Sequence, residues 1–339
     1  MTFPRRLVFL ALGAIVAIGC SARATDDEET ATSDQTAALS RDFAAHPAIL
    51  EIDTADHVYA VSDVHGQYDV FVRLLAGSHL IASPEQDPTR VKWTGGTATL
   101  VVAGDHIDKG PRSVDVVDLL RSLEEQAPRS GGRSIALMGN HEAEFLADPR
   151  NDKATSTGTD AAGIDPQLAA IGVDPRKLAA GTDREGRGRW LANLPLGVRV
   201  KKWFFAHGGN TQRLSLKDLR KKLESSIAKN GYGDKDVIGN DSILEAQQWY
   251  GNPKDDNAGR KEIDALGGVE HIVFGHDPGA FDVRGKPRQS KNGRLVKIDG
   301  AMGLHDKRSP NPGFLLHVST KGKDSAEVVD EQGDASPLE

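Results

Sequence analysis

The 339-residue chain has a single cysteine, Cys20, and no excess of positive charge. One cysteine permits no internal disulfide in a mature domain and no thiolate metal site. Its 42 Lys and Arg residues are outnumbered by 49 Asp and Glu residues, which gives a formal net charge of −7. This balance argues against a protein that binds polyanions over a broad surface, so no nucleic-acid partner is expected. A local basic site for one phosphate remains compatible with it.

The apolar run at the N-terminus is short. Leu7–Ile18 follows the basic pair Arg5–Arg6 and is only twelve residues long, too short to span a bilayer comfortably but typical of an export signal. The run leads into Ala17-Ile18-Gly19-Cys20, which resembles a bacterial lipobox, in which the cysteine is lipidated and becomes the new N-terminus. We therefore predict a signal peptide over residues 1–20 and a lipid anchor at Cys20, which would hold the protein at the membrane of the bacterial cell envelope.

Two further predictions concern the chain ends. Ala22-Arg23-Ala24 is an alternative cleavage site, which would release a soluble periplasmic or secreted protein. Residues 21–47 are rich in Ala, Thr, Ser, Asp and Glu with almost no large apolar side chain, which predicts a disordered tether. The folded domain is expected over residues 48–325 and a frayed C-terminus over 326–339.

Apolar patterning in the first half of the domain alternates between strand and helix. Short apolar runs predict strands at Val58–Val61, Thr99–Ala103 and Ser134–Met138. Helical spacing follows the first two of these strands, in the sets Val70, Phe71, Leu74, Leu75 and Val116, Leu119, Leu120, Leu123. This order predicts an α/β fold with parallel strands and right-handed crossovers.

The second half is less regular. Residues 151–189 have weak periodicity and are interpreted as an insertion of loops and short helices. Strands are predicted again at Trp203–Ala206 and His271–Phe274, and the segments Arg294–Asp299 and Phe314–Val318 are interpreted as strands of a second sheet.

Polar residues able to bind a metal follow five of these strands. They are Asp63 and His65, Asp105 and Asp108, Asn140 and His141, His207, and His276. In an extended segment, residues i and i+2 such as Asp63 and His65 point to the same side. Because ligands of open α/β sheets bind at the carboxyl ends of strands, the five segments are expected to converge on one site. Oxygen and imidazole ligands without thiolate suit manganese, iron or zinc.

Five motifs in this order resemble those of the calcineurin-like metallophosphoesterases. They are Asp63-Val64-His65-Gly66, Gly104-Asp105-His106-Ile107-Asp108-Lys109-Gly110, Gly139-Asn140-His141-Glu142, His207-Gly208-Gly209 and Gly275-His276. Two details, Glu142 and Pro278, make the chain most similar to the serine/threonine phosphoprotein-phosphatase branch and its bacterial members. The resemblance implies a four-layer α/β/β/α sandwich of two mixed sheets flanked by helices.

The resemblance also implies roles for individual residues. Asp63 and His65 would hold a first divalent metal ion, and Asp105 would bridge it to a second. The second ion would be completed by Asn140, His207 and His276, with Asn140 also contacting substrate. His141 would be the general acid, oriented by Asp108, and Lys109 would bind the phosphate. Manganese or iron is the expected metal, with zinc as an alternative.

Two positions depart from the pattern of the phosphatase branch. Lys109 replaces an Arg, so a point charge takes the place of a planar, bidentate fork. Gly251 follows Trp249-Tyr250, where related phosphatases often place a second phosphate-binding Arg. The sequence does not choose between four possible replacements, Arg184, Arg187, Arg189 and Arg213.

The predicted reaction is hydrolysis of a phosphate monoester, on a phosphoprotein or a small molecule. A water bridging two divalent ions loses a proton near neutral pH and would attack phosphorus in line, while His141 protonates the leaving group. Two alternatives remain open: a hydrolase of dinucleoside polyphosphates or phosphodiesters, and a metal-binding lipoprotein without catalysis. The sequence leaves the oligomeric state undecided.

Overall fold

The computed structural model describes residues 40–158, 162–302 and 311–339. The predicted signal peptide, Cys20 and most of the tether lie outside these ranges. Within them, no helix has the length and apolar character needed to cross a membrane. The strands are β1 (Ile49–Ile52), β2 (His57–Val61), β3 (Thr99–Ala103), β4 (Arg133–Leu137), β5 (Gly197–Val200), β6 (Trp203–Ala206), β7 (His271–Phe274), β8 (Arg288–Gln289), β9 (Leu295–Lys297), β10 (Leu315–Ser319), β11 (Ser325–Val329) and β12 (Ala335–Pro337). The α-helices are α1 (Tyr68–Gly77), α2 (Ser113–Gln126), α3 (Asn140–Ala147), α4 (Ile164–Ala170), α5 (Pro175–Ala179), α6 (Arg187–Ala192), α7 (Leu216–Asn230), α8 (Lys235–Ile238) and α9 (Asn257–Leu266).

The strands form two mixed sheets, as the resemblance implied, and each sheet has six strands in the part of the chain that the structure describes. The first sheet has the order β12-β11-β10-β2-β3-β4, and the second has the order β1-β5-β6-β7-β9-β8. The pairs β2–β3 and β3–β4 are parallel, which confirms the strand–helix–strand reading of the first half. In the second sheet β6, β7 and β9 are also parallel neighbours. Parallel strands deliver their carboxyl ends to the same sheet edge, so several loops can meet there.

Alternation along the strands produces the layers. In β3, Val101 and Ala103 belong to the core between the sheets, together with Val273 of β7. Leu100 and Val102 point the other way, into the core shared with the helices. The apolar faces predicted for the first two helices are buried there: Val70, Phe71, Leu74, Leu75, Val116, Leu119, Leu120 and Leu123. Helices outside two facing sheets give the α/β/β/α architecture.

Two predictions for the C-terminal region are wrong. The segments around Leu295–Lys297 and Leu315–Ser319 do not share a sheet: β9 pairs with β7 in the second sheet, and β10 pairs with β2 in the first. Residues 326–339 are not frayed, because they contain most of β11 and all of β12. Strands this short contain too few apolar residues to be predicted from the sequence pattern. β11 is stabilised by its hydrogen-bonded pairing with β10 and by burial of Val328 and Val329.

The start of the folded domain also differs from the prediction. Residues 40–47, assigned to the tether, are docked on the domain by Arg41, which is 9% exposed. Its guanidinium group donates to the carbonyl oxygens of His46, Pro47, Ala192 and Leu194 at 2.7–3.2 Å. A buried guanidinium satisfied by four carbonyls is a tertiary feature that local composition does not reveal.

Candidate metal centre and active site

The loops that carry the predicted site residues turn sharply at the strand ends. Six of those residues have φ between 47° and 63°, in the left-handed region: Asp63, His65, Asp105, Asp108, Lys109 and His276. This conformation is uncommon outside glycine and costs about 1–3 kcal/mol per residue in strain, which is characteristic of functional sites. Asp63 and His65 therefore converge through a left-handed turn. The assumption that Asp63 and His65 lie in an extended segment is wrong.

Backbone hydrogen bonds hold the first two loops side by side. The amides of Asp63 and His65 donate to the carbonyl oxygens of Gly104 and Asp105, at 3.1 and 2.8 Å, and Gly66 N–H donates to His106 at 2.9 Å. The parallel β2–β3 pairing thus continues beyond the strands into the loops. This continuation brings the carboxylate of Asp105 within 3.4 Å of His65 Nε2.

Glu142 organises the loops, and sequence reasoning assigned it no role in the site. Its fully buried carboxylate accepts four backbone N–H groups, from Asp105, His106, Ile107 and Gly139, at 2.8–3.1 Å. Two loops that diverge from neighbouring strands β3 and β4 are thereby fastened to one side chain. The glutamate at the end of the third motif was the available signal, since a carboxylate at the third position of a helix commonly accepts backbone amides.

Asp105 lies at the centre of the site. Two groups of side chains have donor atoms within 4.8 Å of one another and could each hold a metal ion: His65, Asp105 and His141, all buried, and Asp105, His207 and the partly buried His276. Asp105 belongs to both groups. The second group contains three of the ligands predicted for the second metal. The first group combines His65 and Asp105 with His141, the predicted general acid, and does not include Asp63.

Asp63 and Asn140 adjoin these groups. Asp63 Oδ1 lies 3.8 Å from His65 Nε2, and its Oδ2 accepts the backbone N–H of His276 at 3.0 Å. Asn140 Oδ1 lies 3.0 Å from His207 Nε2, while Asn140 Nδ2 donates to Glu144 at 3.4 Å. Asp63 Oδ1 therefore faces His65, a predicted ligand of the first metal. Asn140 Oδ1 faces His207, a predicted ligand of the second metal.

Backbone carbonyls orient three of the imidazoles. His65 Nδ1 donates to the carbonyl oxygen of Ile107 at 3.1 Å, and His207 Nδ1 donates to that of Ala103 at 2.9 Å. Both Nε2 atoms are thereby directed into the site, where they contact Lys109 and Asn140 respectively. His276 is turned the other way, because its Nε2 donates to Glu245 at 3.1 Å. Fixing one ring nitrogen as a donor in this manner is the usual environment of a metal-binding histidine.

The electrostatics of the site favour a cation. Burial and the nearby ammonium group of Lys109 lower the pKa of His65 well below its ordinary value, and burial lowers the pKa of His276 to about 3. Neutral imidazole is the form that binds metal. Burial also lowers the pKa of His207, but the charge of Asp105 outweighs it and raises that pKa to about 10. The carboxylate of Asp105 therefore favours the charged imidazole of His207, and metal binding at His207 requires that imidazole to release its proton.

His141 and Asp108 form a buried pair. His141 Nδ1 donates to Asp108 Oδ2 at 2.8 Å, both side chains are 1% exposed, and His141 Nε2 lies 3.8 Å from Asp105. Asp108 is held in turn by N–H of Ile164, which donates to its Oδ1 at 2.8 Å. Ile164 begins α4 in the 151–189 segment, so this segment helps to position the predicted acid–base pair.

The cations considered for phosphate binding differ in their surroundings. Lys109 Nζ lies 3.1 Å from His65 Nε2, so the side chain reaches the donor groups. Arg187 is committed elsewhere, since its guanidinium makes two 2.7 Å bonds to Asp118. Arg213 is 62% exposed and lines a cleft of about 730 Å³ that Asn210 and Trp249 also line. Among the four arginines left open by the sequence, Arg213 is the one that borders the loop following His207.

The residues of this site lie within a segment that matches a known protein family. The calcineurin-like phosphoesterase family matches residues 57–280, a span that contains all the donor residues described above. The chain belongs to this family. Members use dinuclear divalent metal centres, in agreement with the two donor groups that share Asp105.

Individual similarities are partial. The chain is 31% identical over 150 residues to a symmetrical bis(5'-nucleosyl)-tetraphosphatase of Nitrosococcus oceani, covering 43% of this chain and 40% of that protein. It is 28% identical over 106 residues to Shewanella-like protein phosphatase 2 of Arabidopsis thaliana, covering 31% of this chain and 26% of that protein. The chain thus spans less than half the length of these curated relatives.

A solved structure extends the likeness to the whole fold. The cold-active protein-tyrosine phosphatase of a psychrophilic Shewanella species matches with a TM-score of 0.64 and 20% identity, over 86% of this chain and 82% of that one. At this identity the match establishes the four-layer fold predicted from the motifs.

Proposed function

We propose that the protein is a dinuclear metal-dependent phosphomonoesterase. The observation that carries the proposal is that Asp105 belongs to two groups of metal-binding side chains, with the His141–Asp108 pair adjacent to it. Asp63, His65 and Asp105 would hold one divalent ion, and Asp105, Asn140, His207 and His276 the other. When bound, the ions supply Lewis acidity that activates water and neutralises charge on the phosphoryl oxygens. The proposed metals are manganese or iron, with zinc as the alternative.

The chain's own residues complete the chemistry. Because an ionised carboxylate only accepts hydrogen bonds, Asp108 keeps the Nδ1 of His141 protonated and directs Nε2 toward Asp105. A protonated Nε2 can donate a proton to the departing alkoxide or phenoxide. Lys109 Nζ, which lies next to His65, would contact a phosphate oxygen.

Hydrolysis of dinucleoside polyphosphates is the second candidate function. It is supported by the 31% identity to the N. oceani tetraphosphatase over 150 residues, although that match covers 40% of the relative. A metal centre that activates water for attack on phosphorus serves both substrates. The monoester is preferred here because the ammonium of Lys109 favours the extra charge on a monoester's non-bridging oxygens.

Envelope localisation is proposed from the sequence alone. The lipobox ending at Cys20 would anchor the chain to the membrane, and the residues between Cys20 and Ser40 would separate the anchor from the folded domain. The folded domain, which the structure describes from Ser40 onward, would then act on substrates outside the cytoplasm.

The test combines metal analysis with a substrate panel. Purified protein is assayed for bound metal and for hydrolysis of p-nitrophenyl phosphate, bis-p-nitrophenyl phosphate and diadenosine tetraphosphate with added Mn²⁺. Two metal ions per chain and preferential turnover of the monoester are expected. Asp105→Ala should lose both metal and activity. Metal binding without turnover of any of the three substrates would contradict the enzymatic proposal, and preferential turnover of the tetraphosphate would favour the second candidate.

A further inference from the structure

The turn that carries Asp108 is held from outside the five motifs, by the segment 151–189. The N–H of Gly110 donates to the carbonyl oxygen of Ala162 at 3.2 Å, and the N–H of Ile164 donates to Asp108 Oδ1 at 2.8 Å. This segment therefore contacts both the carboxylate of Asp108 and the backbone that follows it.

Gln167 of α4 connects three pieces of backbone around this turn. Its Nε2 donates to the carbonyl oxygens of Gly110 and Gly163, each at 3.0 Å, and to Ser113 Oγ at 3.2 Å. Its Oε1 accepts the N–H groups of Ser113 and Val114, at 2.5 and 3.4 Å. These partners fix the orientation of the amide, because carbonyl oxygens need a donor and N–H groups need an acceptor. The sequence analysis assigned Gln167 no role.

Ser113 links Gln167 to Asp108. The Ser113 side chain is fully buried at the start of α2, and its Oγ also accepts the N–H of Asp108 at 3.0 Å. The backbone of Asp108 has φ of 62°, in the left-handed region that is uncommon outside glycine, so contacts of this kind are needed to hold it. The Asp108 carboxylate in turn accepts Nδ1–H of His141 at 2.8 Å. A continuous series of hydrogen bonds thus runs from Gln167 through Ser113 and Asp108 to His141.

We propose that Gln167 is a positioning residue for proton donation by His141, acting through Ser113 and Asp108. This inference rests on the proposed function and adds a residue from outside the five motifs. A general acid must lie within hydrogen-bond distance of the group it protonates, and a displacement of about 1 Å can lower a rate by about 100-fold. The hydrogen-bond partners of Gln167 in the described part of the chain include no predicted metal ligand. Its effect on turnover is therefore expected to be separate from metal binding.

Gln167→Glu tests the inference with little change in shape. Glutamate still accepts the N–H of Ser113, but it cannot donate, so its carboxylate faces the carbonyl oxygens of Gly110 and Gly163. Steady-state turnover is measured on phenyl phosphate, whose phenoxide leaving group needs a proton, and on p-nitrophenyl phosphate, whose leaving group needs it much less. Turnover of phenyl phosphate should fall about tenfold and that of p-nitrophenyl phosphate less than about threefold, because only the first depends strongly on the acid.

Gln126→Glu is the matched control. Gln126 is also partly buried, and its amide likewise joins backbone groups, donating to the Val91 carbonyl and accepting the Trp93 N–H, each at 3.0 Å. It ends α2, about 20 Å from Ser113 at 1.5 Å per residue. The control should leave the ratio of the two turnover rates unchanged, even where it lowers the melting temperature as much as Gln167→Glu does.

A double-mutant cycle separates positioning from a general structural role. If Gln167 acts through His141, Gln167→Glu should have no further effect on phenyl phosphate turnover in a His141→Asn background. Additive losses in the double variant, or equal losses on the two substrates in Gln167→Glu, overturn the inference. If Gln167→Glu does not fold, Ser113→Ala interrupts the same series of hydrogen bonds, and an unchanged ratio of the two rates in that variant overturns it. Failure of the wild-type protein to hydrolyse either phosphate would instead refute the proposed function.

Discussion

Glu142→Gln is the substitution that most directly probes how the site is built. The carboxylate of Glu142 accepts two amides on each oxygen: His106 and Ile107 on Oε1, and Asp105 and Gly139 on Oε2. Glutamine preserves the size of the side chain but replaces one oxygen by an NH₂ group. In either orientation, two backbone N–H groups then face a donor and lose their partner.

The magnitude follows from these four contacts. A hydrogen bond to a charged group contributes about 1.5–3 kcal/mol, so two lost contacts amount to about 3–6 kcal/mol. Removing a buried charge offsets part of this loss, because the carboxylate no longer has to be desolvated. We expect the free energy of unfolding to fall by about 2–4 kcal/mol. The Asp105 loop should also loosen, which would weaken metal binding.

Urea denaturation of the metal-free protein measures the first effect, and Mn²⁺ calorimetry measures the second. Glu125→Gln is a suitable control, since Glu125 is an exposed residue of α2 and the same chemical change there should alter stability by less than about 0.5 kcal/mol. If Glu142→Gln changes the unfolding free energy no more than the control does and binds Mn²⁺ normally, the four amide contacts do not hold the site together.

Three further predictions concern the proposed chemistry and localisation. His141→Asn should retain both metals, yet lower turnover by about 100-fold on substrates with poor leaving groups, because it removes the proton donor; near-normal turnover in steady-state kinetics would exclude His141 as the acid. Lys109→Ala should impair monoester hydrolysis more than diester hydrolysis, whereas Lys109→Arg should be tolerated; equal and small effects on both substrates would remove Lys109 from the site. Cys20→Ala should shift the protein from the membrane to the soluble fraction, and unchanged fractionation would favour cleavage after Ala24.

The sequence by itself determined the fold class and the positions of the five site segments. Apolar runs at β2, β3 and β4 and the helical spacing of α1 and α2 are local patterns, and the structure confirms them. The candidate ligands could be recognised because only a few residue types bind metal ions, and because the five motifs are short segments that occur in a fixed order. Asp105 belongs to both groups of side chains that could hold a metal ion.

Only the tertiary structure decided how the site is held. The side chains of the site are held by backbone atoms, which any residue type supplies. These are the four amides that bond to Glu142, the N–H of Ile164 that bonds to Asp108, and the carbonyls that orient His65, His207 and His276. The C-terminal strands also depend on contacts between distant segments. β11 is held by its ladder to β10, and β9 lies beside β7, a pairing that no local pattern encodes.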